Sequence, residues 1–154
     1  MKKLTVFLAM VFSFVFCLSC LVSISYAQSK EDAVKMVNDA INYIKTNGKE
    51  KAYKDITDGK VLKKGDLYVF ALTSDYYIVA HGANPKLLGK PMEKLKDSNG
   101  KFFFKEMVDK ALKNGEGWTD YTWTNPVTKK IEPKTTYTKK LDDKTVVGCG
   151  IYKK

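Results

Sequence analysis

The side chains best suited to chemistry in this sequence are suited to holding a ligand rather than cleaving one. Gly117-Trp118-Thr119-Asp120-Tyr121-Thr122-Trp123 leads through Asn125-Pro126 to Pro133-Lys134-Thr135-Thr136-Tyr137. Tyr121 and Trp123 stand two apart, so on a strand they share a face, where they either wall a pocket or fill a core. Lys134 begins a strand after Pro133, and its ammonium can pair with a carboxylate; the competing reading is one more solvated lysine. Tyr137 offers a pocket hydroxyl or cross-strand packing. His81, the only histidine, closes an earlier strand. It is either a donor to an anion, cationic as pH falls through about 6.5, or an exposed strand end. Trp118, at the entry of its strand, is expected to pack against the helix before it.

Covalent and metal chemistry have little to stand on. Beyond residue 20 the one cysteine is Cys149, inside an apolar strand where a thiol is a small hydrophobe more often than a nucleophile. His81 has no ligand or base partner at motif spacing, and Asp75, Asp97 and Asp142-Asp143 sit in turn contexts. No glycine-rich phosphate cradle joins a strand to a helix. The expectation is a protein that is not an enzyme and uses no metal or cofactor.

The elements that must position these residues follow from periodicity. Ser29 with Asp32 forms a helix cap, and Ala33, Val37, Ala40, Ile41 and Ile44 fall on one helical face before Asn47-Gly48. A short second helix spans about Lys49 to Ile56. Leu67 to Leu72 is apolar on both faces, as a central strand would be, and Ser74-Asp75 turns it into its partner Tyr77–His81. From Gly82 to Gly100 the chain is a long loop with Leu87, Leu88, Met92 and Leu95 as anchors, a pattern common to binding loops and lids. A third helix carries Phe104, Met107, Val108, Ala111 and Leu112 inward, and three alternating runs close the chain as antiparallel strands, the last ending Val147-Gly148-Cys149-Gly150-Ile151-Tyr152. The predicted class is α+β: one antiparallel sheet carrying helices.

The start of the chain predicts export. Lys2-Lys3, an apolar run from Leu4 to Ile24 and small residues at Ser25 and Ala27 make residues 1–27 a signal peptide cleaved after Ala27, with a retained membrane anchor as the alternative. A lipoprotein at Cys20 is disfavoured, because Leu18-Ser19-Cys20 lacks leucine at the third position before the cysteine. Residues 28–154 then form one domain. The net charge of +10 falls to +8 without Lys2 and Lys3, and every basic residue is lysine. Without arginine there is no bidentate phosphate or guanine reader, which argues against nucleic acid; lysines spread over every segment give a potential favourable to small anions.

The order and spacing of several pieces resemble the single Cache domain of the sCache_2 type, an extracytoplasmic relative of the PAS fold found in bacterial receptors. These pieces are Gly65-Asp66-Leu67-Tyr68-Val69-Phe70, Val79-Ala80-His81-Gly82, Asn84-Pro85-Lys86-Leu87-Leu88-Gly89-Lys90, Lys96-Asp97-Ser98-Asn99-Gly100, the Trp118–Trp123 run, Pro133-Lys134-Thr135-Thr136-Tyr137 and the closing Val147–Tyr152 run. The resemblance spans roughly Ala33 to Tyr152. It implies a five- or six-stranded antiparallel sheet with a long N-terminal helix, a further helix before the last three strands, and a ligand held between the sheet and the long loop. It also implies a short organic carboxylate as ligand, of the acetate, propionate, pyruvate or lactate class.

On that basis Lys134 is expected to supply charge, Tyr121, Trp123 and Tyr137 walls and hydroxyls, and His81 a second polar contact. Nothing in the sequence after Tyr152 resembles an output module, so the expectation is periplasmic capture without signalling output of its own, with a membrane receptor or transporter as a further partner. Two rival readings stand beside it: a ligand-free adaptor for a receptor ectodomain or for self-association, and membrane or polyanion association through the lysine surface.

Overall fold

The computed structural model describes residues 28–153, so the proposed signal peptide lies outside the described residues. The first helix, α1 (Lys30–Asn47), opens on a closed capping box: Ser29 Oγ accepts from Asp32 N at 3.2 Å, and Ser29 N donates to Asp32 Oδ2 at 2.8 Å. Its buried stripe is Ala33, Val37, Ala40, Ile41 and Ile44. After Gly48, whose positive φ of 78° turns the chain, α2 (Lys49–Thr57) buries Ala52 and Ile56. There follow β1 (Lys63–Lys64), β2 (Leu67–Thr73), β3 (Ile78–His81), a 3₁₀ turn at Pro85–Leu87, α3 (Phe103–Asn114), β4 (Glu116–Thr124), β5 (Ile131–Asp142) and β6 (Thr145–Tyr152).

All six strands pair antiparallel in the order β1-β2-β6-β5-β4, with β3 also on β2. The fold class expected from sequence is the one observed. Among the described residues, no helix is long and apolar enough to cross a membrane.

Helices cover both faces of the sheet, which explains why β2 is apolar on both. Leu67, Val69 and Ala71 join α1 and α2 in one core, together with Tyr137, Val147 and Cys149. Tyr68, Phe70 and Leu72 join Ile78, Met92, α3, Tyr121 and Val146 in a second. Strand alternation assigns each residue to one side or the other.

Two expectations fail here. Trp118 packs toward α1, with its ring 5.4 Å from Tyr137 and Lys30 Nζ 4.9 Å from its centroid. It lies three residues before Tyr121, an odd step that sends the two to opposite faces. In the long loop, Met92 is buried and Leu87 packs on the second core, but Leu88 and Leu95 are exposed. Polar bonds hold the loop instead. Asp97 accepts from the Asn99, Lys101 and Thr122 amides, and Met92 N and Gly89 N donate to Tyr76 O and Ile78 O.

Gly148 shows how closely β6 is packed in the second core. A Cβ there would lie 2.5 Å from Phe70 Cζ and 3.0 Å from Thr138 Cγ2. Gly148→Ala is therefore expected to destabilise the domain by about 1–3 kcal/mol in urea denaturation. Adding Phe70→Leu should recover part of that loss. A Gly148→Ala protein as stable as the parent would contradict this packing.

Candidate functional site

Register brings three strands to one point. Tyr121 of β4 stands opposite Lys134 of β5, and Lys134 stands opposite Tyr152 of β6. Residues directly opposite share a face, so a Tyr–Lys–Tyr row crosses the sheet on the α3 side. The next row is Thr119, Thr136 and Gly150. Lys134 is 0% exposed. Its Nζ donates to Tyr152 Oη at 3.3 Å and lies 4.0 Å from the Tyr68 ring centroid and 4.4 Å from that of Tyr152.

Around this ammonium the hydroxyls are tied down. Tyr152 Oη donates to Thr124 O at 2.9 Å, and Tyr121 Oη and Thr136 Oγ1 are 3.0 Å apart. The apolar wall is Phe103, stacked on Tyr121 at 4.3 Å, with Trp123 5.4 Å away. Gly150 makes the row possible, since a Cβ there would come within 2.6 Å of Lys134 Cε. Asn125, buried at the β4–β5 turn, donates to Asp66 and Glu132 and accepts from the Val127 and Thr128 amides, which fixes the end of β4 next to the site.

Burial dominates the electrostatics. It pulls the Lys134 pKa down to about 7, against weaker upward effects of the Cys149 thiol and Asp66. Two tyrosine faces attract a cation by about 0.5–2 kcal/mol each, whereas taking an ammonium out of water costs several kcal/mol. Desolvation wins. Burial likewise pushes the Tyr68 and Tyr121 hydroxyls well above the usual tyrosine range. Among the described residues no carboxylate is ion-paired with Lys134; Asp66 acts on it at longer range.

His81 is 2% exposed, not the exposed strand end that was one reading. Its Nδ1 accepts from the Ala83 and Asn84 amides at 3.2 and 3.0 Å, so the ring proton belongs on Nε2. Burial, then the nearby Lys134 charge, lowers its pKa to about 3. The expected change of charge near pH 6.5 is therefore corrected: this histidine stays neutral. The ring packs 5.0 Å from Tyr68 and 6.1 Å from Phe70.

Of the five residues singled out from sequence, Lys134, Tyr121, Trp123 and His81 lie on the α3 side of the sheet. Tyr137 does not. It sits three positions from Lys134 on the same strand, packs with the α1 core, and donates to Glu116 Oε2 at 2.6 Å. The residues not singled out are Tyr68, Tyr152, Thr136 and Gly150. The alternation Gly148-x-Gly150-x-Tyr152 was the available signal: two glycines on one face make a hollow that the tyrosine edges. Three surface clefts, of about 540, 310 and 720 Å³, open elsewhere, and Lys134 lines none of them. What marks the candidate site is a fully buried ammonium.

Comparison with known proteins agrees with the fold. The family model described as Single Cache domain 2 matches residues 22–154. A methyl-accepting chemotaxis protein from Vibrio parahaemolyticus RIMD 2210633 superposes with a TM-score of 0.72 at 26% identity, covering 80% of this chain and 87% of that one. The periplasmic sensor domain of a chemotaxis protein gives 0.65 at 24% identity over 80% and 90%. A Cache chemosensory domain described for its carboxylic acid recognition gives 0.68 at 23% identity over 82% and 100%. The last two likenesses show the fold alone.

The Lys134 environment has a measurable signature. Folding lowers its pKa from the ordinary lysine value, about 10.4, to about 7. Between those values the unfolded chain binds more protons than the folded one, so this group makes stability rise with pH across that window. Lys134→Met should remove that rise, which is on the order of a few kcal/mol. Urea midpoints at about pH 6.5 and about pH 9.5 check it. Parallel pH dependence in the two proteins would contradict the assignment.

Proposed function

This chain belongs to the Single Cache domain 2 family, and from that premise we propose that it captures a short organic carboxylate at Lys134, outside the cytoplasm. The observation that carries the reading is a lysine 0% exposed whose near partners are neutral: one tyrosine hydroxyl and two tyrosine faces. A buried cation without a counter-charge is costly. A carboxylate supplies that counter-charge, and it accepts hydrogen bonds without needing to donate any.

In this reading Tyr68 and His81 Nε2 supply donors beside the ammonium, Tyr152 holds Lys134 Nζ through its oxygen while its proton goes to Thr124 O, and Tyr121, Trp123 and Phe103 set the apolar wall. Thr136, Gly150 and the tyrosine rings pack closely around Lys134. That favours acids of the acetate, propionate, pyruvate and lactate class over longer chains. Access requires movement of the cover, which consists of the start of α3 and the pinned loop before it. Residues 1–27 act as a cleaved export signal, the domain works in the periplasm without catalysis, and a membrane receptor or transporter takes the message onward. The carboxylic acid recognition of the Cache domain that shares this fold supports the choice of ligand class.

One observation favours the adaptor reading instead: a cleft of about 540 Å³ beside Trp118 and the outer side of α1, away from Lys134. A thermal-shift screen against small carboxylates, amino acids, amines and purines separates the two. A ligand at about a hundred times its Kd stabilises the native state by about 2.7 kcal/mol, a shift of several degrees. A shift confined to short carboxylates, lost in Lys134→Ala with the fold retained by circular dichroism, is the expected result. No shift across the panel would favour the adaptor, and a shift kept in Lys134→Ala would overturn the site.

A further inference from the structure

The groups that face Lys134 include no anion that pairs with its charge among the described residues. From β2 come Tyr68 and, at the turn before it, Asp66; from β3, His81; from β4, Tyr121; from β6, Tyr152, while Cys149 acts on it only through the sheet from the α1 side. Glu132 of β5 acts on Tyr152 and is bonded to Asn125 and Thr128. From α3 comes the apolar Phe103, while Glu106 is held by Lys101 and Lys110. None of these is a contact anion for Nζ among the described residues. The ammonium meets one hydroxyl at 3.3 Å, a long bond for a charged donor.

We propose that the site takes up its anion together with one proton, carried in the complex on Lys134 Nζ. This rests on the carboxylate-capture reading above. The one bond made is an N–H on Lys134 and the one broken is that of the hydronium or buffer acid that gives up the proton: a carboxylate, a neutral amine and that proton give a buried ammonium–carboxylate pair, with the donor's conjugate base left in solvent. The net species taken from water is the acid, not the anion. The surroundings explain why the proton is lost above neutrality. Burial removes the water that would stabilise an ammonium, and the tyrosine faces return only part of that stabilisation.

Among the described groups around it whose pKa is displaced, Lys134 alone is brought near neutrality. Its own pKa is about 7, whereas His81 is held near 3, Cys149 is pushed up to about 12, and the three tyrosines are raised above their ordinary values. Below about pH 7 the proton is already present and binding needs none. Above it, each pH unit should weaken the apparent affinity about tenfold, because one more proton must be found for every anion bound. A protein working this way reports the acid and the acidity of its surroundings together.

Isothermal titration calorimetry of the full chain with sodium acetate, propionate, pyruvate and lactate tests this in two buffers of unlike ionisation enthalpy. The expected result at about pH 8.5 is one proton taken up per acid bound, falling toward none near pH 6. Binding without proton uptake at the higher pH overturns this inference and leaves carboxylate capture standing. No binding of any of the four overturns both. Lys134→Arg, with its permanent charge, is expected to bind with no buffer dependence; uptake equal to the parent's would place the proton on another group. If that variant does not fold, the parent's calorimetry decides alone.

Discussion

A single buried ammonium sets the terms for half of this molecule. Lys134 is a residue type almost never fully buried without a partner, yet it lies at the centre of a three-strand row with no exposure. Everything near it can be understood as accommodation of that group. Gly150 gives the aliphatic stem room, two tyrosine faces and one hydroxyl soften the cost of the charge, and His81 is kept neutral so that a second cation does not compete. The arrangement is unfavourable for the ammonium alone and favourable for an ammonium with an anion, which is the property a capture site needs.

The rest of the fold supplies rigidity for that arrangement. A sheet covered on one face only would leave either Lys134 or the α1 core in water. Here α1 and α2 pack against Leu67, Val69 and Cys149, while α3 and the loop before it pack against Tyr68, Phe70 and Tyr121. Cys149 belongs to the first of these, with Sγ 3.6 Å from Met36 Sδ, and behaves as a packing residue whose thiol burial pushes up to about 12. Asp97 and Asn125 do comparable work at the two ends of the site's edge, each replacing missing backbone partners with side-chain oxygens.

Much of this was legible in the residues themselves. The cap of α1, the stripes of α1 and α3, the doubly apolar β2 and the three closing strands all followed from periodicity and turn chemistry. The faces were harder. Tyr137 was grouped with Lys134 through a shared motif, although three positions along a strand reverse the side; the same step separates Trp118 from Tyr121. Period two alone would have corrected both. Burial of Lys134 had no signal in composition, because one lysine among many looks solvated until neighbouring strands are in register. Tyr152 and Gly150 escaped for the same reason: their role depends on β5 lying beside β6. Leu88 and Leu95 look like anchors in sequence, but hydrogen bonds from Asp97 and the Tyr76 and Ile78 carbonyls already hold that loop.

The most direct measurement of the central claim is a crystal structure of the domain grown with acetate or lactate. The account predicts a carboxylate within about 3 Å of Lys134 Nζ, bounded by Tyr152, Tyr68 and Trp123, with Tyr137 untouched on the other face. An acid bound in the cleft beside Trp118, with the surroundings of Lys134 unchanged, would contradict it.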